Sequence, residues 1–462
     1  MLRQRTSKPS VWGSDSESAV VGGGSSSKSR RATRLAFALL PWVLVCVLGF
    51  QLFHSSPSSP PPPTQQLTAL PLSHQQLMSP HSSRKCTPEQ AQTQGEFASI
   101  ARVRGCPGED DIWLRFAQLI MPNAKTFIDI GSNKGFTAAR LFELWSPELG
   151  LEAHALHSAL KKTSPTNREL TECGACNDCR ETGLGSFAPR LPRYCSPLAA
   201  TSSDVNLQHT VATQASKFCQ DRVSTFQPIS VFSYDGSPQM IDGVIKARDY
   251  LAAGGGKMGD GVSKLKDVAD VPEERLPAHP LKSFIAKSWN LQAAAFSSQY
   301  VPGQSMRFLV GSGETGHLLG DEEPIPDGFT VASVPVLTVD EVVSRHKLDH
   351  VDVLKIDTEG HDPLVLLGAS NLLAKHQVTL VIFEYNKMWD FSHHTLYKVV
   401  HDRFGGYACY LEGKNLLLKL THGCWSKAME MKKWSNVWCV SPQTNQGLAL
   451  SAVFDSYALA FV

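Results

Sequence analysis

From about residue 112 onward, short apolar runs alternate with stretches of helical periodicity. Several of the runs close on a carboxylate. Thr126–Ile130 (TFIDI), Ile229–Tyr234 (ISVFSY), Val351–Ile356 (VDVLKI) and Val378–Phe383 (VTLVIF) read as strands. The first carries Asp129, and the next three are followed by Asp235, Asp357 and Glu384. Helical spacing follows in Phe136–Trp145, Gln239–Leu251, Pro363–Leu373 and Thr395–Phe404, and Ile112–Met121 precedes the first strand. Proline at 363 suits a first helical turn. Trp289–Phe296 and Met306–Val310 read as further strands. A glycine-rich loop at 311–320 follows them, and then Val336–Val342, which turns helical through Asp340. Strands near Tyr407–Leu411, Asn415–Leu420 and Val437–Val440 follow one another without helices. Alternation of strand and helix predicts a mostly parallel sheet, and the consecutive last strands predict an antiparallel C-terminal edge. Between 146 and 227 the periodicity lapses into scattered Pro, Gly and Cys, and the segment reads as an insertion.

The N-terminal region has a different pattern. Residues 1–34 are polar and Ser/Gly-rich, as in a disordered tail. Leu35–Phe53 is a 19-residue run without a charge, close to the roughly 20 residues that a membrane span needs. Seven Lys and Arg precede it, and no charged residue follows until Arg84. That asymmetry predicts a single-pass type II anchor, with the N-terminus cytosolic and the rest lumenal in the secretory pathway, the Golgi being the expected organelle. A cleaved targeting peptide and a buried helix stay open. Residues 54–85 are rich in Ser and Pro and read as a stem, leaving 86–462 as the globular domain. Ten of the 11 cysteines follow the apolar run, an even number that suits disulfides in an oxidising compartment. Cys173, Cys176 and Cys179 have CxxC spacing that would also suit zinc, with Cys195 or Cys219 as a fourth ligand. The net charge is +1, so no basic face points to nucleic acid.

Two segments carry the chemistry. In Asp129-Ile-Gly-Ser-Asn-Lys-Gly135, glycines permit a sharp turn beside a ligand, and the following helix N-terminus can receive an anion. Gly131, Ser132, Asn133 and Gly135 are the turn residues. In Lys355-Ile-Asp-Thr-Glu-Gly-His-Asp362, Asp357, Glu359 and His361 concentrate acid–base groups at a strand end. The alternative is that the two carboxylates cap the next helix and the histidine is solvated. Asp235 ends the second strand, where an acid can accept both hydroxyls of a ribose, but it lies 106 positions after Asp129 rather than the usual ~20. The 146–227 insertion accounts for the excess. No Gly-x4-Gly-Lys-Ser/Thr loop is present, which disfavours a nucleotide hydrolase.

These segments resemble the FkbM-type S-adenosylmethionine (SAM)-dependent methyltransferases. The likeness rests on Asp129, Gly131, Asn133 and Gly135, on Asp235 with Pro238, and on Asp352, Lys355, Ile356, Asp357, Glu359 and Gly360. It spans roughly Thr126–Trp145 and Ser230–Asn386. His361-Asp362 stands where the family often has Ala-Glu. The resemblance implies a Rossmann-like methyltransferase fold and SAM as methyl donor. Asp129 and the turn would hold its methionine part, and Asp235 its ribose. Asp357, Glu359 and His361 would face the acceptor. It further implies O-methylation, expected on a sugar hydroxyl of a glycan or glycoconjugate. A divalent cation at the strand end stays open without support. Two alternatives also stay open. One is a non-catalytic lumenal protein that retains the fold. The other is an organellar methyltransferase of small molecules or proteins. Trp425, Trp434 and Trp438 are candidates for stacking on sugar faces, although core tryptophans are commoner.

Overall fold

The computed structural model describes residues 84–100, 107–173, 179, 227–255, 283–310, 316–319, 322–413, 416–431 and 434–461. The chain splits into two units, Met1–Ser79 and Pro80–Val462, and every described residue falls in the second. The expected tail, the apolar segment Leu35–Phe53, nearly all of the stem, and Cys176, Cys195 and Cys219 lie outside the described residues. Among the described residues no helix is long and apolar enough to cross a membrane.

The strands are β1 (Thr126–Ile130), β2 (Ser230–Asp235), β3 (Trp289–Ala293), β4 (Ala295–Phe296), β5 (Ser305–Val310), β6 (His317–Leu319), β7 (Thr330–Leu337), β8 (Val351–Ile356), β9 (Val378–Tyr385), β10 (Ala408–Gly413), β11 (Leu416–Lys419) and β12 (Ser435–Val440). Described helices of the N-terminal half are α1 (Pro88–Ile100), α2 (Pro107–Ile120), α3 (Phe136–Trp145), α4 (Ala153–Thr163), α5 (Arg168–Thr171) and α6 (Pro238–Ala252). Those further on are α7 (Ser283–Ser288), α8 (Val339–His346), α9 (Asp362–Leu367), α10 (Ser370–Ala374), α11 (Leu396–Arg403) and α12 (Asn445–Tyr457).

An eight-stranded sheet runs in the order β11-β10-β12-β9-β8-β1-β2-β3. Pairings from β3 through β9 are parallel, whereas β12 is antiparallel to both β9 and β10, and β11 to β10. The mostly parallel centre and the antiparallel C-terminal edge therefore match the sequence pattern. The chain steps outward from β1 to β2 and β3, then returns to β8 on the other side. That reversal places a topological switch point at β1 and β8, where ligands of open α/β sheets bind. Alternate residues of the strands feed two cores. Phe127 and Val353 pack on one face with α2, α3, α4, α6 and α12. Ile128 and Ile356 pack on the other with α8, α9, α10 and α11. Strands buried on both faces read as nearly continuous apolar runs, which is why they stand out in the sequence. A four-stranded sheet, β4-β7-β5-β6, carries the insertion between β3 and α8.

Several expectations change. Trp289–Phe296 is not one strand. It breaks at Ala294, whose N–H donates to the Asp235 carbonyl at 2.9 Å, and its two parts join different sheets. The loop at 311–320 contains β6, paired to β5. The helix expected over Pro363–Leu373 is two helices, α9 and α10. Gly368 lies against the Ser297 carbonyl, where an added Cβ would come within 2.3 Å, and Asp340 accepts the N–H groups of Asn371 and Leu372 that open α10. The segment from 146 is not irregular at its start. Leu149, Leu156, Leu160 and Leu170 from that stretch are buried in the core beside α3 and α6. Its helices are short and flanked by Pro and Gly, so their periodicity is hard to see.

Disulfides join Cys86 to Cys424, Cys173 to Cys179 and Cys409 to Cys439. The zinc alternative at Cys173, Cys176 and Cys179 thereby loses two of its thiolates. Trp438 is fully buried and donates from Nε1 to Glu412 at 2.8 Å, so it is core rather than a sugar platform. Trp425 lies beside Tyr397 and His401 instead.

Candidate functional site

Register brings the acidic strand ends together. Asp129 of β1 stands level with Ser233 of β2 and Lys355 of β8. Beyond the last paired residues, the turn grips both neighbours. Gly131 and Ser132 donate to the Tyr234 carbonyl at 2.8 and 2.9 Å, and Asp357 N–H donates to the Ile130 carbonyl at 2.9 Å. The turn needs its glycines. Gly131 and Gly135 adopt φ of +76° and +77°. A Cβ on Gly131 would lie 1.6 Å from the Asp357 carbonyl oxygen, and one on Gly135 would lie 2.7 Å from the Trp289 ring. The backbone is thus held within reach of whatever lies over the strand ends. Asn133, at φ +47°, takes a left-handed conformation that asparagine tolerates.

A cavity of about 700 Å³ opens over these strand ends. Gly131, Asn133, Asp235, Asp357, Glu359 and His361 all line it, so six of the nine residues expected from the sequence converge. Ser132 instead lines a smaller chamber of about 110 Å³ on the other side of the turn, which shares Gly131, Asn133 and Asp357 with the larger cavity. Gly135 faces Trp289, and Asp129 borders neither space, being buried beneath the turn. Asp129 sits below the turn because the odd-numbered residues of β1 point to the α3 side of the sheet.

Asp235 is preorganised. One oxygen accepts from Asn133 N–H at 2.9 Å and the other from Ser237 N–H at 2.8 Å. Each oxygen keeps a lone pair for a further donor. Burial raises its pKa, and those two backbone donors oppose the rise. Asp129 is pushed up to about 7 by burial, with Lys355 and the Ser233 hydroxyl pulling the other way. No donor meets hydrogen-bond geometry to either of its oxygens.

The segment after β8 is shaped by Glu359 and Gly360, which are both left-handed at φ +52° and +99°. A Cβ at Gly360 would come within 2.8 Å of Met388. Lys355 Nζ donates to Asp357 at 2.8 Å. His361 is the N-cap residue of α9, yet its side chain makes no capping bond, and its Nε2 is buried without a partner. Burial, and secondarily His394, lower its pKa, so the ring is neutral near pH 7 and one nitrogen can accept a proton. Glu384 lies behind this segment. Asn386 donates to it at 2.7 Å, and burial, with Asp357, Asp362 and Glu359 nearby, pushes its pKa up to about 10. Asp362 rises to about 7, chiefly by burial.

Other lining residues were not signalled by the motifs. Phe296 of β4, Phe308 of β5 and Leu318 of β6 form an apolar wall, and Met388, Asp390 and His394 come from the segment after β9. Glu169 comes from α5, within the stretch that reads as irregular. None has a local pattern that marks it, because each reaches the cavity through tertiary folding. Among the described residues no group of three or more His, Cys, Asp or Glu is arranged to hold a metal ion.

A family model, the methyltransferase FkbM domain, matches residues 129–407. This interval runs from the carboxylate of β1 to the residue before β10 and contains every strand end that borders the cavity. No curated protein and no solved structure matches the chain.

Proposed function

The chain belongs to the FkbM methyltransferase family, and from that premise we propose that it is a SAM-dependent O-methyltransferase acting on a sugar hydroxyl of a glycan or glycoconjugate. The observation that carries the donor assignment is the convergence of a collision-tight glycine turn with a doubly anchored carboxylate, Asp235, over one cavity. The residues present fit such a donor. Asp235 has free lone pairs where ribose hydroxyls need acceptors. Gly131 admits close backbone approach. Asp357, which lines the cavity, supplies negative charge near a cationic sulfonium.

SAM supplies an electrophilic methyl group when it is bound. The chain's own residues do the rest. The glycine turn would hold the methionine part of the donor, and Asp235 its ribose. Neutral His361 takes the proton of the acceptor hydroxyl, which is a weak nucleophile until that proton leaves. Glu384, held protonated by its surroundings, keeps one negative charge away from that exchange. The wall of Phe296, Phe308 and Leu318 excludes water, which favours transfer to the bound hydroxyl over hydrolysis.

The sugar assignment rests on the family's association with such acceptors. A lumenal, type II arrangement in the secretory pathway is part of the same proposal. It is supported by the charge-flanked apolar run Leu35–Phe53 and by the disulfides.

Isothermal titration of SAM into the full chain tests the donor, with labelled methyl transfer to glycan pools as the second readout. Binding that falls about 10- to 100-fold in Asp235→Ala supports the reading, as charged hydrogen bonds of this kind are worth about 1.5–3 kcal/mol. A His361→Gln variant should keep SAM affinity and lose transfer. A folded wild-type chain that does not bind SAM would sink the proposal.

A further inference from the structure

The segment between β9 and α11 builds a wall of the large cavity to which neither the glycine turn nor Asp235 gives a role. Met388, Asp390 and His394 line that cavity together with His361, Pro363 and Leu364. A Cβ on Gly360 would come within 2.8 Å of Met388, so this wall packs against the residue before His361. Trp389 anchors the segment from within. It is 3% exposed, stacks on Phe383, meets Tyr385 edge-on and donates from Nε1 to the Glu384 carbonyl at 3.2 Å. On either side of this anchor, Met388 (49% exposed) and Asp390 are open to solvent. Both are held in place. Met388 N–H donates to Asn386 Oδ1 at 2.8 Å, and Asn386 donates in turn to Glu384 at 2.7 Å. Asp390 Oδ1 accepts from the Ser392 N–H at 3.1 Å and from its hydroxyl, and the Asp390 carbonyl accepts from His394 N–H at 2.8 Å. The bonds from Ser392 hold the Asp390 carboxyl below its usual pKa, and burial lowers that of His394. Near pH 7 the wall therefore presents an ionised acceptor and a neutral imidazole, one of whose nitrogens donates while the other accepts.

We propose that Met388, Asp390 and His394 form the subsite for the acceptor sugar: the ring lays its C–H face on Met388, one hydroxyl donates to Asp390, another pairs with His394, and a third is presented to His361. The inference rests on the sugar O-methyltransferase reading above. A pyranose has an apolar face and a rim of hydroxyls, and an apolar platform edged by a few convergent polar groups is what orients such a ligand. Asp390 Oδ1 is taken up by Ser392, which leaves Oδ2, 4.0 Å from His393 Nε2, to accept the sugar hydroxyl. His394 is near enough to His361 to help lower its pKa, so the hydroxyl reader stands next to the base. The apolar surface beside Asp235 is built separately. A Cβ on Gly236 would lie 2.2 Å from the Phe308 ring, which ties Phe308 to the donor's ribose carboxylate and leaves Met388 to the acceptor. Because bonds within the segment fix all three side-chain positions, the subsite is formed before the sugar arrives.

The test uses a panel of methyl hexosides and their monodeoxy analogues as probes, titrated by ligand-observed NMR into the full chain loaded with S-adenosylhomocysteine. At least one hexoside should bind. One of its monodeoxy analogues should bind about 10- to 100-fold more weakly, the range for a hydrogen bond to a charged group. Asp390→Asn should weaken the parent sugar by a similar factor and leave that analogue nearly unchanged, because the partner hydroxyl is already missing. His394→Gln should show the same pattern with a different deoxy position. Met388→Ala should weaken every sugar that binds by about fourfold or more, the worth of one buried methylene. All three variants should bind SAM as the wild-type chain does, which reports that the fold and the donor side are intact. An Asp390→Asn effect of equal size on the parent and on every deoxy analogue would overturn the subsite, since a structural role would produce that result. So would a chain that binds SAM and none of the hexosides. Failure of the wild-type chain to bind SAM at all would instead refute the donor reading, and the subsite with it.

Discussion

Replacing Gly131 by alanine isolates the physical demand of the turn. Two costs arise. The left-handed backbone at φ +76° is unfavourable for an L-residue by about 1–2 kcal/mol. The new methyl would also lie 1.6 Å from the Asp357 carbonyl oxygen, far inside contact distance. Overpacking costs about 1–3 kcal/mol where side chains can yield. Here the neighbour is backbone, held by its own bond to Ile130, so the upper end applies. The sum is about 4 kcal/mol. At about 2 °C per kcal/mol for a unit of this size, the unfolding midpoint should drop by about 8 °C. Gly303 supplies the control. Its φ is +80°, yet an added Cβ would meet nothing within 4 Å. Gly303→Ala should therefore cost only the backbone part, about 1–2 kcal/mol or about 2–4 °C. Thermal unfolding of both variants, with SAM titration alongside, makes the comparison. Gly131→Ala should lose SAM affinity because the β1–β8 gap must open, whereas Gly303→Ala should keep it. Equal midpoints for the two variants, or unchanged SAM affinity in Gly131→Ala, would refute the close-approach argument.

Two further outcomes are expected. The pKa of Glu384 is raised from 4.5 to about 10, so between those values the folded chain holds a proton that the unfolded chain has released. Stability then falls as pH rises through that window, by up to about 1.4 kcal/mol per pH unit, and Asp129 and Asp362 add the same sign up to about pH 7. Glu384→Gln should flatten the decline between pH 7 and 10 in thermal unfolding, and an unchanged slope would show that Glu384 is not the group responsible. Removing the Cys86–Cys424 bridge with paired serines should cost about 3–5 kcal/mol, since it closes a separation of 338 residues. Removing Cys409–Cys439 should cost less, because it closes 30 residues between strands already paired at those positions. Denaturant midpoints under non-reducing conditions rank the two, and the reverse order would contradict the chain-entropy account.

The sequence by itself determined the parts whose physics is local. Strands buried on both faces must be apolar throughout, so β1, β2, β8 and β9 are legible as runs. A tight strand-to-helix turn must contain glycine, so Gly131 and Gly135 are legible too. Carboxylates that end such strands are conspicuous because little else polar occurs there, and Asp235, Asp357 and Glu359 stand in the cavity as their positions imply. Only the tertiary structure decided the rest. The level of Asp129 against Lys355 is set by strand register, and its burial by the face on which odd-numbered β1 residues fall. Asp129 and Ser132 are three positions apart, yet one is sealed below the turn and the other lines the small chamber. The break at Ala294 depends on a hydrogen bond to Asp235, 59 positions earlier in the chain. The wall of Phe296, Phe308 and Leu318 exists because the insertion after β3 folds into its own sheet over the cavity. The small chamber likewise required α3 and β8 to meet, since Arg140 and Lys355, which both line it, are 215 positions apart and neither has a local pattern that names the other. Local periodicity encodes which residues are buried. Which buried residues face one another follows from chain crossings that no short window contains.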